Sequence, residues 1–410
     1  MSDRYPGGLI RKTPPTITPP TGGEGGSASG IWTMDQVAYY IKEGTWPKGF
    51  LPRELYTWGQ SGYGALGNNT NNPDRTTPGT TVASNTDWES VTSGSFCQAA
   101  IAGGKLFTWG YGGLGSLGHN NTVYRSSPTQ VGALTNWSKV SMGQSYGTHA
   151  VKTDGTLWAW GSGTGGQLGI NSTVTYSSPV QVGALTDWAN VHGGVDQAAA
   201  IKTDGTIWSW GNAQFGGTGQ NTTTNTSSPV QIGASTDWLD LECGTIYSSY
   251  AVKTDGTAWS WGWGASGKLM QNSLTNFSSP VQIGALTNWQ SIVSTRSAAF
   301  GLKTDNTLWV AGGNSYGELG LNLPAGTTFR SSPVQLGAAD WSILATDAYN
   351  TMFVIKTDGT LWGWGDAVNG MLGAGSTIDK SSPVQIGSET TWASVACGNP
   401  QSIGILKVVS

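Results

Sequence analysis

The sequence predicts an all-β fold, a seven-bladed β-propeller built from four-stranded blades. Three observations predict it: a block of about fifty residues recurs seven times, each copy holds several short strand signals, and the two chain ends complement each other. The recurring mark is an aromatic pair ending on glycine, at Gly59, Gly110, Gly161, Gly211, Gly262, Gly312 and Gly365. The intervals are 51, 51, 50, 51, 50 and 53 residues. A fixed period of that length means one supersecondary unit stacked many times.

The elements follow in chain order. Residues 1–30 contain no copy of the repeat; four prolines between Thr13 and Pro20 and a Gly/Ser run from Gly22 to Gly30 describe an extended arm. Residues 31–50 carry signals for one short helix. Thr33 and Gln36 form a capping box, and Trp32 and Val37 form the hydrophobic staple around it. Met34, Val37, Ala38 and Ile41 share a face, and Gly44 stops the helix. A helix of about ten residues is not stable alone, so Trp32, Met34, Val37, Tyr40, Ile41 and Trp46 are expected to dock on another surface. Docking on a second protein is favoured over docking on the propeller's own side.

Residues 51–410 hold the repeats. Ala150 to Trp160 reads as two strands about Asp154-Gly155, a two-residue type I′ turn. The equivalent turns are Gly103-Gly104, Asp204-Gly205, Asp255-Gly256, Asp305-Asn306 and Asp358-Gly359. Each Ser-Ser-Pro-Val-Gln run adds a short strand whose Pro suits a sheet edge, and the segment after each Asp-Trp or Asn-Trp adds a fourth. The last copy lacks its aromatic arm, and the first begins on an arm without a partner. The expected closure therefore joins three C-terminal strands to one N-terminal strand.

The aromatic arm places two rings two residues apart, on one strand face. With the Trp that opens each inner segment, these pairs account for 18 of the 21 tryptophans. Regular placement in every copy assigns Trp58, Trp109, Trp160, Trp210, Trp261 and Trp364 to inter-blade packing rather than to a sugar site. Ala311 breaks the series, which predicts a looser or differently filled blade there.

Composition narrows the function. Only 11% of residues are charged and the net charge is −4. Residues 1–50 hold five basic and four acidic side chains, leaving 15 basic against 20 acidic in the repeats. Nucleic-acid binding needs clustered Lys and Arg, so no nucleic-acid partner is expected. No apolar stretch is long enough for a membrane span, and the first residues lack a secretory signal. Three cysteines without Cys-x-x-Cys spacing do not make a disulfide framework, and all three are read as buried thiols. His119, His149 and His192 occupy different places in the repeat, so no metal ring is predicted. There is no phosphate-cradling Gly-Lys-Ser/Thr loop. The hairpin lysines Lys152, Lys202, Lys253, Lys303 and Lys356 are read as solvated residues rather than an anion-binding ring. The acidic residues fall in turns and before the repeat Trp, where they cap backbone. The expectation is a non-enzymatic protein without metal or cofactor.

Trp-Gly followed by Gly-x-Leu-Gly, as in Gly64-Ala-Leu-Gly67, Gly115-Ser-Leu-Gly118, Gly166-Gln-Leu-Gly169, Gly317-Glu-Leu-Gly320 and Gly370-Met-Leu-Gly373, resembles the regulator of chromosome condensation repeat. The resemblance covers residues 54–410 and implies a seven-bladed propeller; the Lys-Thr-Asp-Gly-Thr hairpin is closer to the microbial and viral branch. The segment from Gly30 to Pro47 resembles a Gly-hydrophobic-Trp … Trp-Pro element of tailed-phage structural proteins. That second resemblance implies a virion protein made in the host cytoplasm. Its residues 1–50 would engage other virion proteins, and its propeller would be displayed as a decoration, fibre or tail-associated module that reaches a host-surface glycan or protein. The alternative is a free microbial binding protein of inhibitor or lectin type.

Overall fold

The computed structural model describes residues 53–71, 73–83, 87–244, 246–326, 329–346, 350–398 and 402–408. The expected arm, the helix and the docking residues Trp32, Met34, Val37, Tyr40, Ile41 and Trp46 lie outside the described residues. The body spanning Pro52–Ser410 is built of seven four-stranded antiparallel sheets.

One sheet shows the construction. Trp188–Gly193 is innermost, followed outward by Gln197–Lys202, Ile207–Gly211 and Thr226–Gln231. The second strand is wholly buried, because both its faces meet other blades, and its residues are accordingly small or aliphatic. The fourth strand, with its Ser-Ser-Pro run, is the sheet edge, where proline's missing donor is harmless. The inner strands Trp88–Ser93, Trp137–Met142, Trp188–Gly193, Trp238–Cys243, Trp289–Ser294, Trp341–Thr346 and Trp392–Cys397 touch one another in cyclic order, the last against the first. The ring is closed.

The closure differs from the expected three-plus-one. Trp392–Cys397 and Ser402–Val408 pair with Arg53–Gly59 and Arg75–Thr80, two strands from each end. The strands Arg53–Gly59 and Ser402–Val408 run in unbroken register from Arg53 opposite Val408 to Gly59 opposite Ser402. The reason lies in how the repeat is divided. Lys380–Gln385 pairs back onto the aromatic arm of its own copy, with Trp362 opposite Gln385, and so completes the preceding sheet. The diverged Arg75–Thr80 segment is then left to edge the closing sheet.

The hairpin turns are also corrected. Gly155 has φ +76 while Asp154 is not left-handed. Gly155 N donates to Lys152 O and Lys152 N to Thr156 O, which is a type I turn followed by a left-handed bulge glycine. Asp154 Oδ1 accepts from both the N–H and the hydroxyl of Thr156. Asp204, Asp255, Asp305 and Asp358 repeat that pattern; Gly205, Gly256 and Gly359, and Asn306 after Asp305, take the positive φ. Only Gly103-Gly104 has positive φ at both positions, with Ala102 directly opposite Lys105, and makes the two-residue turn.

Neighbouring blades are locked by tryptophan against glycine. Trp58, Trp109, Trp160, Trp210, Trp261 and Trp364 are fully buried. Each Nε1–H donates to a carbonyl of the preceding blade's Gly-x-x-Gly loop: Met371, Ala65, Ser116, Gln167, Gly217 and Glu318, at 2.7–3.0 Å. The last glycine of that loop must lack a side chain. A Cβ at Gly169 would stand 2.7 Å from Trp210 Nε1, and one at Gly118 2.8 Å from Trp160 Nε1.

The seventh junction carries Ala311, and it is filled differently. Where the other six loops end on glycine, this one ends on Met270, which is buried in one cluster with Ala311. The carbonyl that would have received an indole N–H, Lys268 O, accepts the Tyr250 hydroxyl at 3.0 Å. Both the volume and the hydrogen bond of the absent Trp are replaced from the neighbouring blade.

Candidate binding surfaces

The glycine ending each aromatic pair exists for a backbone approach. At Gly110, Gly161, Gly211 and Gly262 an added Cβ would run into the carbonyl of Phe96, Tyr146, Asp196 and Tyr247 respectively. Those four residues precede the second strand of their sheets and all have positive φ. Bulky side chains are rarely found in that region, where strain of about 1–3 kcal/mol is typical and is often associated with function. Tyr63, Leu114 and Phe215, in the short 3-10 turns after the aromatic arm, share it.

These strained positions gather aromatic rings at one end of the sheets. Tyr63 stands edge-on to Phe96, Tyr111 and Tyr124 with centroids 5.0–5.3 Å apart. Tyr111 stacks on Tyr124 at 5.2 Å and leans on Tyr146 at 4.9 Å. Tyr63 is 41% exposed and Tyr124 48%. A smaller group, Phe215 with Trp263 and Tyr247, extends the theme two blades further on. Such rings offer large contact area with few rotamers to freeze and hydroxyls at the rim. Sequence reasoning missed this sector because its residues sit at loop positions that vary from copy to copy. The available signal was the clustering of Tyr63, Tyr111, Tyr124 and Tyr146 within two adjacent repeats.

A second concavity lies on the axis. All seven inner strands contribute to a narrow channel of about 210 Å3. Its one charged pair is His192 Nε2 with Glu242 Oε2 at 3.0 Å. Burial lowers the affinity of His192 for a proton, but the Glu242 carboxylate and Cys243 together outweigh it and raise the pKa well above the ordinary value. His149 is buried, its Nε2 2.8 Å from Gln167 O, and burial pushes it down to about 4. His119 lies 3.0 Å from the Thr108 hydroxyl and is also held near 4, by burial and then by Arg125. Among the described residues no group of three or more His, Cys, Asp or Glu is placed to hold a metal. Cys97, Cys243 and Cys397 are buried without a disulfide, and burial lifts the Cys97 thiol to about 12, far from a nucleophile's range.

The hairpin lysines are not solvated. Each bulge after an inner-strand Trp sets that Trp opposite the lysine, as Trp137 opposite Lys152. Each Nζ then lies over two indoles, for Lys202 at 5.0 Å from Trp188 and 4.4 Å from Trp208. Lys202, Lys253 and Lys356 add an ion pair to Asp187, Asp237 and Asp340 at 2.8–3.3 Å. The Asp before the repeat Trp is thus an ion-pair partner as well as a turn residue.

Comparison with known proteins agrees with this architecture. Residues 103–148, 154–201, 204–249 and 358–405 match the regulator of chromosome condensation (RCC1) repeat. The chain is 27% identical over 344 residues to the ultraviolet-B receptor UVR8 of Arabidopsis thaliana, covering 80% of this chain and 76% of that one. It is 30% identical over 137 residues to the human E3 ubiquitin-protein ligase HERC2, which is 32% of this chain but 3% of the ligase. Among solved structures, Prp20p of Saccharomyces cerevisiae, described with its binding properties to Gsp1p and histones, superposes with a TM-score of 0.77 at 18% identity, over 88% of this chain and 93% of that one.

Proposed function

We propose that this chain is an RCC1-type propeller whose work is to bind another protein, not to catalyse a reaction. The observation that carries the reading is the aromatic sector of Tyr63, Phe96, Tyr111, Tyr124 and Tyr146, in which Tyr63 and Tyr124 are exposed and Tyr63, Phe96 and Tyr146 sit on left-handed backbone. Partner binding by Prp20p, and the binding or regulatory character of similar propellers, support it in kind. The finer reading is a virion protein: residues 1–50 anchor it to other virion proteins, and the propeller is displayed toward a host-surface protein or glycan. That reading rests on the Gly30 to Pro47 segment.

The test uses chemical crosslinking of the full chain in its native assembly, followed by mass spectrometry of its neighbours. Tyr63→Ser with Tyr124→Ser should leave the free energy of unfolding within about 0.5 kcal/mol of the parent, as for most exposed sites. Recovery of the partner held by the propeller should fall at least about tenfold, as expected for aromatic anchors. Undiminished recovery would move the binding surface elsewhere. Deleting residues 1–50 should abolish particle association; recovery of the intact protein as a particle-free monomer would favour the free binding protein instead.

A further inference from the structure

Two of the inter-blade pockets hold a lysine without its carboxylate. Lys152 and Lys303 are 7% and 4% exposed, yet the position occupied by Asp187, Asp237 or Asp340 in the sister blades is Asn136 or Asn288 here. Among the described residues neither lysine has an ion-pair or hydrogen-bond partner for its Nζ. Lys253 Nζ also donates to the Ser235 hydroxyl oxygen at 2.9 Å; the matching residues beside Lys152 and Lys303 are Leu134 and Leu286. Lacking a carboxylate to draw them off, the two ammonium groups settle onto the outer indole, 3.7 Å from the Trp158 centroid and 3.8 Å from that of Trp309. The paired lysines stand 4.3–5.1 Å from theirs.

Both ammonium groups line open pockets of about 400 and 470 Å3. The walls are the two indoles, the half-exposed Leu134 or Leu286, and the Ser-Pro pair of the outer strand, Ser178-Pro179 or Ser332-Pro333. His119, which also lines the first pocket, stays neutral at physiological pH. The nearby Asp154 and Asp305 carboxylates are engaged by Thr156 and Thr307 in the turns. A near-buried cation facing an apolar, solvent-connected cavity is complementary to an anion with an apolar body. We propose that these two pockets each bind a carboxylate carried on an apolar group, which takes the place of the aspartate found in the sister blades. Burial lowers the proton affinity of both lysines, and an incoming carboxylate would offset that loss.

A free organic acid and an acidic side chain of a partner protein share this chemistry. The test is calorimetric titration of the full chain with benzoate, its neutral isostere benzamide, and the capped peptide acetyl-Leu-Glu-Leu-amide. Benzoate or the peptide should bind at two sites, at least about tenfold more tightly than benzamide. Tighter binding by the peptide assigns the sites to a partner's side chain, and tighter binding by benzoate to a free acid. The decisive variant is Asn136→Asp with Asn288→Asp, which folds on the precedent of three sister blades and supplies the carboxylate internally. It should weaken binding at least about tenfold. Equal binding of benzoate and benzamide, no binding of either acid, or undiminished binding to the double variant would overturn the proposal.

Discussion

Trp160→Ala is expected to destabilise the propeller by about 3–5 kcal/mol, the range for deleting a large buried aromatic. Trp160 is fully buried, packs 6.1 Å from Trp137, and spans the junction to the preceding blade through its bond to Ser116 O. Gly118 stands where the ring edge passes, so no side chain is there to collapse into the void. Trp160→Phe should lose less, about 1–2 kcal/mol, since Ser116 O keeps the Thr148 hydroxyl as a donor at 2.9 Å. Trp158→Ala, two residues away and half-buried, should lose less than Trp160→Ala. Urea unfolding of the three variants checks the order; a Trp158→Ala loss equal to that of Trp160→Ala would contradict the assignment of the inter-blade lock. A few kcal/mol is a large share of the net stability of any domain.

At the Ala311 junction the expected result is non-additivity. Ala311→Trp alone pushes an indole against Met270 and should lose about 1–3 kcal/mol by overpacking. Met270→Gly alone opens a cavity and should lose about 2–4 kcal/mol, lessened by relief of the methionine's positive φ. Together they recreate the Trp–Gly pair of the other six junctions, and the double variant should be more stable than the sum of the single losses by at least about 1 kcal/mol. Urea midpoints for the four proteins decide it. Additive losses would mean that the two departures are unrelated.

The fold was legible because its strongest constraints repeat. Aromatic-x-Trp-Gly, Ser-Ser-Pro and Asp-Gly recur in most blades, dictated by packing, by edge position and by turn geometry. The division of strands at the closure was not legible, since a Ser-Ser-Pro strand can pair backward or forward and the diverged Thr76-Thr-Pro-Gly-Thr80 hides the answer. The turn type misled for a related reason: Asp-Gly suits both the two-residue turn and the type I turn with a bulge, and only the carbonyl of Thr156 distinguishes them. Met270 and Ala311 are visible as two exceptions in adjacent copies, but pairing them needs the knowledge that each loop glycine faces the next blade's Trp. The lysines were misread because hairpin residues are usually solvated. The bulge after each inner-strand Trp turns them onto indole faces, and only then does Asn136 or Asn288 in place of Asp acquire meaning. The aromatic sector is carried by non-repeating loop residues, so periodicity was silent about it.

Arg53→Cys with Val408→Cys in the full chain tests the closed ring most directly. The two positions are register partners, within disulfide reach for adjacent strands, although they lie at opposite ends of the chain. Mild oxidation followed by peptide mapping should find residue 53 linked to residue 408. The offset pair Arg53→Cys with Ser402→Cys, separated by about 20 Å along the strand, should remain reduced. Persistent free thiols at 53 and 408 in the folded protein, or linkage of the offset pair, would contradict a ring latched by two strands from each end.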